Sequence, residues 1–145
     1  MNRLASLALA AVLVVVSGCA SGPAFKSVSA SFPPVPAGSV RIFFYRNANL
    51  GAGAAVRPDV NLNGQKVGSA IPGGFFYVDR PPGDYEVTTA TELKKTLTFH
   101  VDAGQVRYVR LGLSPGLMVA HISPELVEAQ KAQPEIEKTK SITKS

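Results

Sequence analysis

Hydrophobic positions along the chain fall into short runs separated by turn residues every eight to twelve positions, the spacing of an all-β sandwich or barrel. Val40 to Tyr45 is apolar on both alternating faces, which predicts a central strand with little solvent on either side. In Val60-Asn-Leu-Asn63-Gly64-Gln-Lys-Val67, Asn-Gly supplies two positive-φ positions for a type I′ turn, so a hairpin is expected with Val60 opposite Val67. Gly74 to Asp79 reads as a further strand, stopped by Pro81-Pro82-Gly83-Asp84, and Tyr85 to Ala90 follows with Tyr85 and Val87 on one face. Leu97, Phe99 and Val101 alternate with Thr96, Thr98 and His100, so one side is buried and the other wet. The turn Asp102-Ala-Gly104 leads into Val106 to Leu113, and Leu117 to Ile122 completes the strands. Ser123-Pro124-Glu125 has the order of an N-cap, a first-turn proline and a dipole-favourable acid, which predicts a helix from 124 that Pro134 interrupts, with 137 as its limit. The tail, 138–145, is expected to fray. The fold expected is a small antiparallel β-sandwich over residues 39–123 with a short C-terminal helix.

The N-terminal pattern is different. Arg3 precedes a 13-residue apolar run, Leu4 to Val16, broken only by Ser6. As a helix it rises about 20 Å, short of a ~30 Å hydrocarbon core, so residues 1–18 read as a signal peptide rather than a span. The run ends in Val16-Ser17-Gly18-Cys19, which resembles the lipobox of bacterial lipoproteins: an aliphatic residue, two small ones, then a cysteine. The resemblance implies cleavage before Cys19 and a thioether-linked diacylglycerol on its sulfur, hence a protein tethered to a membrane by lipid. In such lipoproteins Asp directly after the cysteine often accompanies inner-membrane retention. Ala20 and Ser21 stand there instead, which favours the outer membrane, facing the periplasm. Residues 19–38 comprise the lipidated cysteine and a Ser-, Pro- and Gly-rich stretch, 20–38, that reads as an extended leash spanning at most roughly 60 Å.

Composition narrows the chemistry. With 145 residues, 13 Gly and 11 Pro, the chain has room for one domain and is not a helical bundle. One cysteine and two histidines argue against disulfide scaffolds and multi-ligand metal sites, so no metal or cofactor is expected. The net charge of +5 lies largely outside the folded body: residues 19–137 hold 11 basic and 10 acidic side chains, and the tail three lysines. Arg41, Arg46, Arg107 and Arg110 are scattered through strands, and export makes nucleic acid an unsuitable partner. The tail lysines are either solvated or in contact with anionic lipid or polymer.

Gly112-Leu113-Ser114-Pro115-Gly116 matches G-x-S-x-G, but Pro115 lacks an N–H for an oxyanion hole and His121 precedes every later acid, so a loop between strands is expected. Gly51-Ala-Gly53 begins like a dinucleotide fingerprint, yet Arg57-Pro58 argues against the helix that phosphate binding needs. Asp59, Asp79, Asp84 and Asp102 occupy strand ends and turns, where carboxylates hydrogen-bond backbone amides. The alternative reading is a small envelope hydrolase using turn carboxylates such as Asp59 and Asp79, or Ser114.

Arg41-Ile-Phe-Phe-Tyr-Arg46, the stretch from Arg57 to Gly68, Tyr77-Val-Asp-Arg-Pro-Pro-Gly-Asp-Tyr85 and His121-Ile-Ser-Pro-Glu-Leu126 together resemble the bacterial lipoprotein family of domain of unknown function DUF2846, over roughly residues 38 to 130. The order of parts is also similar to PEGA-type and carboxypeptidase-regulatory-like β-sandwiches. The resemblance implies prealbumin-like or immunoglobulin-like layering, no known activity and no catalytic residues. The resulting expectation is a non-enzymatic outer-membrane lipoprotein, anchored through Cys19, whose sandwich contacts another envelope protein or a glycan. Phe43, Tyr45, Phe75, Phe76 and Tyr77 are the candidate contact patch, with at least three of them expected in the core.

Overall fold

The computed structural model describes residues 19–48 and 51–143; the expected signal peptide, 1–18, and the last two tail positions lie outside the described residues. Nine strands are described: β1 (Val40–Tyr45), β2 (Asp59–Leu62), β3 (Gln65–Ser69), β4 (Gly74–Arg80), β5 (Gly83–Ala90), β6 (Lys94–Val101), β7 (Val106–Ser114), β8 (His121–Val127) and β9 (Lys140–Ser141). They form two sheets, β8-β7-β1-β4-β9 and β3-β2-β5-β6. Helix α1 (Phe25–Val28) precedes the strands, and α2 (Ala129–Ile136) lies between β8 and β9. The protein is thus an all-β sandwich with a short C-terminal helix.

The two-sided apolarity of β1 has a direct structural cause. Val40, Ile42 and Phe44 project into the inter-sheet core with Val60, Leu62, Val87, Val101, Val109 and Ile122. Phe43 and Tyr45 project the other way, into a second core built with Phe25, Phe75, Tyr108, Val127, Ala132 and Ile136. The five-stranded sheet is therefore covered on both faces, by the second sheet and by a layer of helix and N-terminal strap. A strand in the middle layer has no wet face to alternate with.

Two pairings are parallel, where an antiparallel sandwich was expected: β1 with β7 and β4 with β9. After β6 the turn at Asp102–Gly104 returns the chain to the start of β1, where Gly104 N–H donates to Ser39 O at 2.9 Å and Arg41 N–H to Gln105 O at 3.1 Å. The chain then leaves in the same direction as β1. The Asn-Gly hairpin forms with both residues at positive φ, 48° at Asn63 and 81° at Gly64. Its register differs from expectation: Asn61 faces Lys66 but Val60 faces Gly68, so Val67 is the extra residue of a bulge. A Cβ at Gly68 would lie 2.6 Å from the Phe76 ring, and the bulge puts the residue without a side chain where that ring needs room.

Four other expectations are corrected. Residues 20–38 are not a leash, because Gly22 N–H donates to Ser141 O at 3.0 Å, Phe25 N–H donates to Thr139 O at 2.9 Å, and the Phe25 ring is 5% exposed. The tail is ordered through β9 for the same reason. Ser123-Pro124-Glu125 caps no helix: these residues lie in β8, where Pro124 faces Leu111. β8 is an edge strand, whose outer side needs no N–H donor, so proline is tolerated there. The helix starts at Ala129 and carries Pro134 inside it, held by burial of Ala132 and Ile136 and by side-chain bonds from Gln133 and Glu135. Finally, Leu117 to Val119 is an exposed turn, and its strand begins only at His121.

Candidate binding groove

β9 pairs with only Gly74 and Phe75 of β4, leaving the rest of that edge without a neighbouring strand. Facing this edge across the open side of the sandwich is Val67 of the bulge. The result is an apolar groove of about 370 Å³, with Phe76 and Tyr77 as its floor and Val28, Phe32 and Ile142 among its walls.

Alternation along β4 sends the two aromatic floor residues to opposite cores. Phe76 stacks on Phe44 with ring centroids 4.9 Å apart and planes inclined by 13°. Tyr77 packs against Phe32 at 5.1 Å and Phe43 at 5.4 Å. The Arg41 guanidinium lies 4.3 Å from the Tyr77 ring centre and is fixed there by Asp79, through Nε to Oδ1 at 2.7 Å and Nη2 to Oδ2 at 2.9 Å. Its remaining fork donates to Pro33 O at 2.8 Å, which clamps the N-terminal strap over the sheet. The Asp79 hydrogen bond holds the Arg41 pKa above its ordinary value, so the clamp is a permanent cation.

Of the candidate patch, Phe43, Tyr45 and Phe75 are buried, while Phe76 and Tyr77 are half-buried at the groove. Tyr45 donates to Glu135 Oε2 at 2.5 Å, and burial followed by this bond raises its pKa well above the usual phenol value. Arg110 joins the same network, donating to Glu135 at 2.7 Å and Glu125 at 2.8 Å, and it lowers the Glu125 pKa. This network binds α2 to the sheet.

The remaining candidates occupy structural positions. Ser114 Oγ lies 3.1 Å from Ser123 Oγ and 3.4 Å from the backbone carbonyl of His121, not from its ring. The His121 ring is buried, with Nδ1 2.6 Å from Thr91 Oγ1. Asp59 pairs with Lys66 at 2.8 Å. His100 is exposed between Asp84 at 2.7 Å and Asp102 at 3.1 Å, and these two bonds raise its pKa. Among the described residues no group of three or more His, Cys, Asp or Glu side chains is arranged to hold a metal ion.

The Gly51-Ala-Gly53 segment forms a 3-10 turn, Ala52–Ala55. Its Gly53 carbonyl joins those of Val56 and Ala70 around a buried cation: Arg46 donates to Gly53 O and Ala70 O at 2.7 Å each and to Val56 O at 2.5 Å. Burial lowers the Arg46 pKa to about 10, still far enough above neutrality to keep the charge. Cys19 is exposed, at the end of the sandwich near Ala48, Gly73, Lys138 and Lys140. Among the described residues no helix is long and apolar enough to cross a membrane.

The groove walls contributed by Val28, Phe32 and Ile142 were missed in sequence, because they belong to segments read as leash and tail. The available signal was the presence of Phe25, Val28 and Phe32 within 14 residues of Cys19, since a solvated linker has no use for large apolar side chains.

The fold and groove define a helix-strapped β-sandwich with an aromatic-floored edge. Residues 36–123 match the family described as protein of unknown function (DUF2846), and the chain belongs to that family. The match runs from just before β1 into β8, so the strap, α2 and β9 lie outside it. Among solved structures, the N-terminal domain of AlgF from P. aeruginosa aligns with 62% of this chain and 96% of its own, at 19% identity and a TM-score of 0.41. Comparison with curated proteins finds no match.

Proposed function

We propose that the protein is a lipid-anchored component of the bacterial cell envelope, held on the outer membrane and facing the periplasm through diacylglycerol on Cys19, with the sandwich acting as a non-catalytic binding module. The groove over Phe76 and Tyr77 is its contact site for another envelope protein or a glycan. The observation that carries this reading is the half-buried aromatic pair beside an unpaired strand edge. Aromatic faces supply large contact area at little entropic cost, and an open edge offers backbone hydrogen bonds to an extended segment. The carboxylates and Ser114 are already engaged in bonds within the fold, which favours this reading over hydrolysis.

Incorporation of labelled palmitate, abolished by Cys19→Ser, tests the anchor. Ala20→Asp is expected to shift the protein toward the inner-membrane fraction. A photo-crosslinker at Tyr77 in intact cells is expected to give a discrete adduct that the same probe at Gln65 does not give, and proteolysis or glycan-lyase digestion of that adduct separates a protein partner from a glycan. Equal labelling from both positions would overturn the groove assignment.

A further inference from the structure

The end of the sandwich that carries Cys19 has a second unusual property. Strand directions place the turns at 70–73, 91–93 and 115–120 at this same end, because β7 runs parallel to β1 with Arg110 opposite Tyr45. Ala48 lines both the hollow that contains Cys19 and the one that contains Leu113. At the apex of the 115–120 turn, Leu117 is 99% exposed and Met118 is 87% exposed.

Their exposure is built into the turn. A Cβ on Gly116 would lie 1.8 Å from Val119 O, so the chain doubles back at a spacing that only glycine permits. Val119 N–H donates to Glu92 Oε1 at 2.8 Å, and Thr91 Oγ1 lies 2.6 Å from His121 Nδ1, fastening this turn to its neighbour. The two large apolar side chains are held outward with no protein surface to cover them.

The same end is basic. Lys94 and Lys95 open β6, Lys138 and Lys140 flank Cys19, and among the described residues none of the four is ion-paired. The acids there are occupied, Glu92 by the Val119 amide, Asp59 by Lys66, and Glu125 and Glu135, which line the hollows around Ala48, by Arg110. Asp84 and Asp102 cluster around His100 at the opposite end.

We propose that this end of the sandwich is a bilayer-docking surface: Leu117 and Met118 enter the interfacial region of an anionic membrane while Lys94, Lys95, Lys138 and Lys140 meet its headgroups. The orientation rests on the lipid-anchor reading of Cys19. Because Ala20 N–H already bonds Pro72 O at 3.3 Å, no leash separates the anchor from the body, and a diacylglycerol on Cys19 holds this end against the lipid. Extending the β1/β7 register puts Leu113 level with Ala48, so Leu117, four residues on, reaches up to about 13 Å further, enough for the 5–10 Å depth at which interfacial apolar groups settle. Lysines near an anionic surface add an attraction that salt weakens.

The chain contains no tryptophan, so a single one reports depth. Full-length Met118→Trp, and Gln65→Trp at the far hairpin as control, are reconstituted into phosphatidylethanolamine/phosphatidylglycerol vesicles with acyl chains brominated in half the preparations. The mass of the N-terminal peptide is read on each sample. Blue-shifted emission from Met118→Trp, quenched about twofold by brominated chains, with the control unquenched, is the expected result. Replacing the four lysines by Gln reduces that quenching in anionic vesicles and leaves it unchanged in neutral ones. An unquenched Met118→Trp on a lipidated chain overturns the docking surface while the anchor stands. A blue shift that grows with protein density and ignores bromine assigns the tip to a second copy of the chain, which also overturns it. Quenching on an unlipidated chain upholds the docking surface and removes the anchor.

Discussion

Phe25→Ala distinguishes a structural strap from a linker by a wide margin. The ring packs edge-on against Phe75 at 5.1 Å, Phe32 at 5.8 Å and Phe43 at 5.9 Å, and it is 5% exposed. Truncating a phenylalanine in such a site costs about 3–5 kcal/mol, the lost edge-to-face contacts included. Helix α1 is four residues long, too short to persist by its own hydrogen bonds, so the ring is what keeps it in place. For a body of this size the loss lowers Tm by roughly 10–20 °C in a thermal melt followed by far-UV circular dichroism. Exchange of the Phe25 amide, bonded to Thr139 O, accelerates in the same variant. Ser31→Ala, at an exposed position of the same segment, changes stability by less than about 0.5 kcal/mol. A Phe25→Ala melt within about 2 °C of the parent would show that residues 20–38 do not belong to the folded body, and the attachment of Cys19 close to the sandwich would fall with it.

Other perturbations test other parts of the fold. Arg46→Met leaves the carbonyls of Gly53, Val56 and Ala70 without their shared donor and costs about 2–4 kcal/mol in urea unfolding, with hydrogen exchange rising first in residues 51–58. His100 titrates above its ordinary 6.5 when followed by proton NMR, and Asp84→Asn with Asp102→Asn returns it toward that value. Because folding favours the charged ring, its stabilising contribution is complete below the unfolded pKa and is lost as pH rises through the folded one. Ser114→Ala and Asp59→Ala keep any envelope phenotype of the parent chain provided they remain folded; a phenotype lost by either folded variant would favour the hydrolase.

The strands from β1 to β7 were legible because each carries its own signal, such as alternation in β5 and β6, double-sided apolarity in β1 and Asn-Gly between β2 and β3, whereas β8 was misplaced and β9 was read as tail. The half-exposure of Phe76 and Tyr77 was not legible, because both sit in a uniformly apolar run and only the truncation of β9 after two residues leaves their edge open. Phe25 and Phe32 were misread for a related reason. They lie among Ser, Pro and Gly, and their partners on β1 and β4 are more than ten residues away in sequence. The helix forecast failed where local chemistry was most persuasive, since Ser123-Pro124-Glu125 offers an N-cap serine, a first-turn proline and a dipole-favourable acid. Pairing with β7 prevailed, burying Ile122 and Val127, while the true start at Ala129 has Glu128 with no side-chain cap bond and draws its stability from contacts with Tyr45 and Tyr108.

The joining of residues 20–25 to residues 139–141 closes the polypeptide into a ring of noncovalent bonds, with the first and last parts of the described body lying side by side. During synthesis the central strand β1 emerges early but must wait for β4 and β7 to flank it, and β4 in turn for β9, so the described body completes only once β9 has been made. Contacts between segments more than a hundred residues apart close slowly, so this clasp sets the last step of folding and releases first when the body opens.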